Sequence, residues 1–242
     1  MPQRARVSIL MPCYELASSI GDNIDRVVAT LAGEAGVEVI VADDGSTDGT
    51  RLEAERAAAR HPEVQVVANP RNEGKGRALQ RAFAASSGDT IVFLDGDLDL
   101  PPEQVPTFMA RLTEHDLDAL LGAKRDAMVS GGYPAKRRVL SRVFSAVTRV
   151  AFRLPTIETQ TGLKAFRRAP LEATLPHVEI SRYSFDLELV VRLHRAGYRI
   201  EEAPVELDVQ ASTSRVTIGT LGEMGRDTIA LWFRSLRWRR AG

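Results

Sequence analysis

The chain has 242 residues, with 32 basic and 32 acidic side chains and a formal net charge of zero. That length suits one α/β domain or a domain with a small appendage, and a balanced charge offers nothing to a nucleic-acid partner. Cys13 is the single cysteine, which excludes an intrachain disulfide and fits a reducing compartment.

In chain order, "RVSILMP" reads as a first strand. Its apolar run is too short for a signal-peptide core and is interrupted by Pro12. Ser18 and Ser19 are cap candidates for a helix that places Ile20, Ile24, Val27, Val28 and Leu31 on one face. "VEVIVAD" is a second strand, followed by a charged, alanine-rich helix to about Arg60. "VQVVAN", the helix "GRALQRAFAAS", "TIVFLD" and "DALLGA" continue the alternation. Strands alternating with helices predict parallel pairing in an open, doubly wound sheet. Ligands of such sheets sit at the carboxyl ends of the strands.

The second half is less regular. "AKRRVLSRVFSAVTRVAFRL" has a helical stripe of Val139, Val143, Val147, Val150 and Leu154 among basic residues. "TGLKAFRR" suggests a strand, "SFDLELVVRLHRAG" a helix stopped by Gly197, and "YRIEEAPVELDV" a strand pair broken by Pro204. From about Thr217 to Trp238 the chain reads as a basic, aromatic-tipped helix. No segment approaches the roughly 20 apolar residues that span a bilayer. The expectation is a chain that is soluble or rests on a membrane without crossing it.

Three strand ends concentrate chemistry. "VADDGSTDGT" places Asp43 and Asp44 after the second strand, either as a polar turn or as acceptors for a base or ribose. Asp48 is a cap candidate for the helix that follows. "FLDGDLDLPPE" places Asp95, Asp97 and Asp99 after the fourth strand. If the backbone stays extended, alternation puts all three on one side, where they would repel one another without a cation. Hard divalent ions take such oxygen ligands. The same stretch also reads as a solvated turn, with Pro101 opening the next helix. "NPRNEGKGRA" offers Gly74 and Gly76 for close backbone approach and Lys75 or Arg77 for phosphate, or else is a basic turn. It lacks the spacing of a P-loop or a dinucleotide fingerprint. Arg125, Arg137, Arg138 and Arg142 are a solvated face or a basic amphipathic surface for lipid. The four histidines have no metal-ligand spacing.

The ordered set "LMPCYE", "VADDGSTDGT", "NEGKGRAL", "FLDGDLDLPPE" and "TQTGLKAFRR" resembles the family 2 glycosyltransferases of GT-A fold. The likeness is closer to polyprenyl- or dolichyl-phosphate sugar synthases, and "QTGLKAF" is similar to the glucosyl branch rather than the mannosyl branch. Thr161 and Leu163 stand where that branch usually has Cys and Phe. The resemblance implies a single α/β domain with a Rossmann-like, mixed but mainly parallel sheet and helices on both faces. It divides the chain into a nucleotide-sugar half (1–124), an acceptor half (125–215) and a C-terminal basic amphipathic helix (216–242).

By the same resemblance, Pro12, Tyr14, Glu15, Asp43, Asp44, Lys75 and Gly96 would join Asp95 and Asp97 around the nucleotide sugar. A divalent metal, magnesium or manganese, would meet Asp95 and Asp97, with Asp99 as a third ligand. Asp95, Asp97 and Arg125 would be catalytic. Arg137, Ser141, Gln160, Thr161, Gly162, Lys164 and Arg215 would line the acceptor side. The implied reaction is inverting transfer of a hexose from UDP-glucose or GDP-mannose to a polyprenyl phosphate, at the cytoplasmic face of a membrane and without nucleic acid. Two alternatives stay open. One is transfer to a glycan hydroxyl, which needs a carboxylate base, with Asp186 and Glu188 as candidates. The other is a non-catalytic nucleotide-sugar-binding protein.

Overall fold

Apolar alternation builds the sheet. In β1 (Val7–Cys13), β2 (Val37–Asp43) and β4 (Thr90–Leu94), the side chains of Ile9, Met11, Val39, Val41, Val92 and Leu94 enter one core. Their neighbours Leu10, Ile40, Ile91 and Phe93 enter a second core on the opposite face. β3 (Val64–Ala68), β5 (Ala119–Ala123), β6 (Leu163–Arg167) and β7 (Ile200–Pro204) complete seven strands in the order β3-β2-β1-β4-β6-β5-β7. This computed structural model describes residues 6–124, 135–156, 158–208 and 218–238.

Only β6 among the described strands runs against its neighbours, pairing antiparallel to both β4 and β5. The sheet is therefore mixed and mainly parallel, as expected. Because β6 lies between β4 and β5, the two halves of the chain share one sheet.

Helices α1 (Ile20–Leu31), α2 (Thr50–Ala58) and α4 (Val105–Glu114) cover the first core. Helices α3 (Lys75–Ala85), α6 (Arg168–Thr174) and α7 (Phe185–Arg195) cover the second. Two further helices, α5 (Ala135–Phe152) and α8 (Ile218–Ser235), add Phe152 and Leu231 to it. Each fully buried Leu, Ile, Val or Phe contributes about 1.5–3 kcal/mol by leaving water, so these two layers position the loops between them.

Several local expectations change. Ser19 is the N-cap of α1 without a side-chain cap bond; the first turn is instead closed by Leu16 O, which accepts from the N–H groups of Ser19 and Ile20. Gly49 in the left-handed region is the N-cap of α2. Asp48, one residue earlier, still accepts from the Thr50 N–H at 2.9 Å. Pro101 precedes a short 3-10 turn that Pro102 opens, and α4 follows. Gly197 does stop α7, with a positive φ of 84°. Among the described residues the expected pair after Gly197 is one strand, β7, ending at Pro204; beyond it the Val205 N–H donates to Ala123 O and the Asp208 N–H to Asp99 O.

Of the stripe expected on α5, Val147 and Val150 are exposed, while Leu154, just past the helix, is buried. The inner face is Ser145, Thr148 and Phe152. Thr148 can be buried there because its hydroxyl donates to Phe144 O one turn back, at 3.0 Å.

Candidate active site

The carboxyl ends of β1, β2 and β4 open on a cleft of about 180 Å³, lined by Pro12, Cys13, Tyr14, Leu16, Asp44, Lys75, Asp95, Gly96 and Asp97. Three loops meet here because the strand ends bond to one another. Gly96 N–H donates to Pro12 O at 3.0 Å, and Asp44 N–H to Cys13 O at 2.9 Å. Gly96 suits this closeness: a Cβ there would stand 3.0 Å from Pro12 O and from Cys13 Cβ, so that these neighbours would have to give way slightly.

The acidic stretch leaves the strand at once. β4 ends at Leu94, and Leu98 N–H donates to Asp95 O, forming a turn. Leu98 sits at φ 51°, a conformation costly for a branched residue, and is held there by burial. The alternation expected of an extended strand therefore does not place the three aspartates. The turn still crowds them. Burial, then the charges of Asp95 and Asp99, push the Asp97 pKa up to about 6. Asp97 accepts the Asp99 N–H at 3.2 Å. Among the described residues, no three Asp, Glu, His or Cys side chains form a ready-made metal cage, and Asp95, Asp97 and Asp99 are included in that statement.

A chain of alternating charge runs behind the turn. Lys75 Nζ lies 2.6 Å from Asp95 Oδ1 and 3.6 Å from Asp186 Oδ2. Lys164 Nζ donates to the other Asp186 oxygen at 2.7 Å and also to Thr161 O. Lys164 and Asp186 are both buried. Burial works against the Asp186 carboxylate, but Lys164 and Lys75 outweigh it and hold its pKa below the usual range. Burial likewise opposes the Lys75 ammonium, and Asp186 and Asp95 reverse that, holding its pKa above the usual lysine range. Burial pulls Lys164 below its usual range.

The glycine turn serves packing. Gly74 lies at φ 100°, and a Cβ there would meet Ser181 O at 2.4 Å. Gly76 N–H donates to Ser181 O at 2.8 Å, and a Cβ on Gly76 would run into the Phe185 ring at 2.4 Å. The close approach expected for a ligand is thus made by the start of α7. It brings Asp186 to Lys75.

Other predicted residues play supporting parts. Asp44 accepts from Asn69 Nδ2 at 2.7 Å and from the Glu73 and Gly74 N–H groups at 2.9 and 2.8 Å, which fixes the turn carrying Lys75. Asp43 is buried outside the cleft lining and accepts from the Ser46 N–H. Glu15 accepts from the Thr47 N–H at 2.8 Å and so ties the loop after β2 to the loop after β1. Tyr14 is exposed at the cleft. Gly162 packs against Asp95, where a Cβ would stand 2.6 Å from Oδ2.

Thr161 and Lys164 are buried behind Asp95 rather than at an open surface, and Gln160 donates to Tyr183 O at 3.1 Å. Arg125 and Arg215 lie outside the described residues, as do the side chains of Arg137 and Ser141. Sequence reasoning placed Asp186 in the site only as a base. It missed Leu16, which lines the cleft; its place in the loop after the first strand was the available signal.

Open α/β sheets bind their ligands across the carboxyl ends of the strands, where this chain gathers carboxylates after β2 and β4. The Glycosyl transferase family 2 profile matches residues 8–175, so the chain belongs to that family of glycosyltransferases. It is 32% identical over 231 residues to the glycosyltransferase AglD of Haloferax volcanii, covering 94% of this chain but only 37% of that protein. It is 28% identical to an undecaprenyl-phosphate mannosyltransferase of Micrococcus luteus, covering 96% of each chain. A dolichyl-phosphate beta-glucosyltransferase of Trichomonas vaginalis is 27% identical, covering 98% of this chain and 74% of that one. A solved structure of glucosyl-3-phosphoglycerate synthase from Mycobacterium tuberculosis superposes with a TM-score of 0.74 at 24% identity, covering 99% of this chain and 83% of that one. That likeness supports the GT-A fold.

Proposed function

We propose that the protein transfers a hexose from a nucleoside diphosphate sugar, UDP-glucose or GDP-mannose, to a polyprenyl phosphate, with inversion and with a divalent metal. The observation that carries the acceptor assignment is the state of Asp186. A hydroxyl acceptor needs a carboxylate free to take a proton. Asp186 is committed to Lys164 at 2.7 Å and shared with Lys75. Glu188 is fully buried and bonded to Arg192. An acceptor phosphate monoester, with a second pKa of about 6, is largely ionised at neutral pH and makes little demand for a base.

The donor reading rests on the cleft. Tyr14 offers a flat face to a base, and Lys75, which lines the same cleft, offers an ammonium to a diphosphate. Asp95 and Asp97 fit a hard cation, since they are oxygen donors and Asp95 already holds a stand-in cation in the Lys75 ammonium at 2.6 Å. Mn2+ and UDP accompany the Mycobacterium tuberculosis synthase in one of its structures. A bound divalent ion supplies Lewis-acid neutralisation of the leaving diphosphate. Arg125, Arg137, Ser141, Gln160 and Arg215 are proposed for the acceptor phosphate, with Asp99 at the edge of the metal site. Docking at a membrane surface is supported by the apolar residues exposed on α5 and α8, among them Val150, Ile229 and Phe233.

Turnover of UDP-glucose or GDP-mannose with manganese and a short polyprenyl phosphate tests the reading. A lipid-linked sugar is expected, and its absence with both donors overturns the acceptor assignment. Product formed on an oligosaccharide in place of the polyprenyl phosphate would select a glycan hydroxyl acceptor instead.

A further inference from the structure

We propose that Lys75 is the resting occupant of the metal position at Asp95, and that Asp186 is its second seat, so that divalent metal and nucleotide enter the site together. The inference rests on the donor and metal reading above. Its basis is the asymmetry of the Lys75 ammonium, 2.6 Å from Asp95 Oδ1 and 3.6 Å from Asp186 Oδ2.

Asp95 cannot serve a cation fully while an ammonium sits on the same oxygen. Metal alone must displace Lys75 against that ion pair. A nucleoside diphosphate changes the balance, because its oxygens offer the ammonium a new anion. Asp186 then prevents the departing ammonium from being stranded in a part-buried place. Its carboxylate is fixed for that purpose from behind by Lys164, at 2.7 Å. The start of α7 is pinned on the glycine turn by the Gly76 N–H bond to Ser181 O, so the distance from Asp186 to Lys75 is set by the fold. By linkage, metal and nucleotide must then strengthen one another equally.

The test is Mn2+ binding, followed by the paramagnetic resonance signal of the free ion, on metal-stripped full-length protein with and without UDP or GDP. The wild type should bind Mn2+ weakly alone and more tightly with nucleotide. Lys75→Gln should bind Mn2+ alone about tenfold more tightly, the size of one opposite charge removed at hydrogen-bond distance, and the nucleotide effect should shrink accordingly. Lys75→Arg, which keeps the charge, should retain the coupling. Asp186→Asn should weaken Mn2+ binding, since Lys75 is then left with Asp95 alone; it puts the same question with the opposite sign if Lys75→Gln does not fold. Unchanged or weaker Mn2+ binding by folded Lys75→Gln, with the wild type responding to nucleotide, overturns the inference and leaves the donor reading intact. No Mn2+ binding by the wild type with either nucleotide overturns both.

Discussion

Asp186 and Glu188 stand two residues apart on α7, both buried and both beside cations, yet their surroundings differ in kind. Glu188 is saturated. Its Oε1 accepts from Arg192 Nε and Nη2 at 2.9 and 2.7 Å. Its Oε2 accepts from the N–H groups of Glu179 and Ile180 at 3.0 and 2.8 Å. Arg192 in turn stacks on Trp238, 4.0 Å from the ring centre. Every donor here is a fixed fork or a fixed backbone group. Asp186 relies instead on ammonium groups, and one of them, Lys75, is shared with the cleft. A structural charge is closed off by rigid partners; a charge beside a ligand site keeps a partner that can move.

The largest effect expected is on stability, from Glu188→Gln. Breaking a buried, paired charge leaves Arg192 to the more exposed Glu179, 3.5 Å away, and costs about 3–5 kcal/mol. Calorimetry should show a strongly lowered Tm, while turnover by the folded fraction at low temperature stays near wild type. A small Tm change would put Glu188 in the same category as Asp186 and erase the contrast.

Next is Asp97→Asn, which should lower turnover roughly a hundredfold or more, the scale of losing a preorganised electrostatic contact. Its stability effect has the opposite sign. The Asp97 pKa is raised from 3.8 to about 6 in the folded chain. Its contribution to stability is therefore complete below the lower value and lost as pH rises through about 6. Without metal, Asp97→Asn should raise the Tm by a few degrees at neutral pH, and the gain should vanish in acid. A lowered Tm at neutral pH would mean that the cleft carboxylates are scaffold.

The strands and the three strand-end loops were legible because alternation and turn residues report the local backbone directly. β6 was found as a strand, but nothing in "LKAF" says that it runs antiparallel between β4 and β5. That Asp95, Asp97 and Lys75 lie at the strand-end cleft was legible from their place after a strand and at a helix start. The roles of Asp44, Asp186 and Gly76 were not, since each is decided by contacts distant in sequence, such as that of Gly76 with Phe185. On α5 hydropathy located an apolar stripe but left its direction open, because a buried Thr148 bonded to its own helix leaves no trace in hydropathy.

A middle-sized effect tests the surface. Phe233 and Ile229 are 60% and 61% exposed on α8. If they enter a lipid interface, Phe233→Ser should weaken sedimentation with anionic vesicles about tenfold, in line with burial of one large apolar side chain. The double variant with Ile229→Ser should add to that. Unchanged vesicle binding in the double variant would remove α8 from the docking surface.

The smallest effect isolates burial as the cause of the contrast. Asp25 resembles Glu188 in its bonds: Arg60 Nη2 reaches its two oxygens at 2.8 and 2.7 Å, and His61 Nε2 lies 2.7 Å from Oδ1. It differs in exposure, with 42% of its side chain in solvent. Slight burial lifts its pKa, but hydrogen bonds from His61 and Arg60 outweigh this and hold it below the usual carboxylate range. The associated stability is present at neutral pH and lost as pH falls through the lowered value. Because water already solvates these charges and salt screens them, Asp25→Asn should cost about 0–1 kcal/mol and become neutral in concentrated salt. Glu188→Gln should keep its penalty in the same salt. Equal losses from the two variants would show that the number of cationic partners, rather than their removal from water, sets the cost.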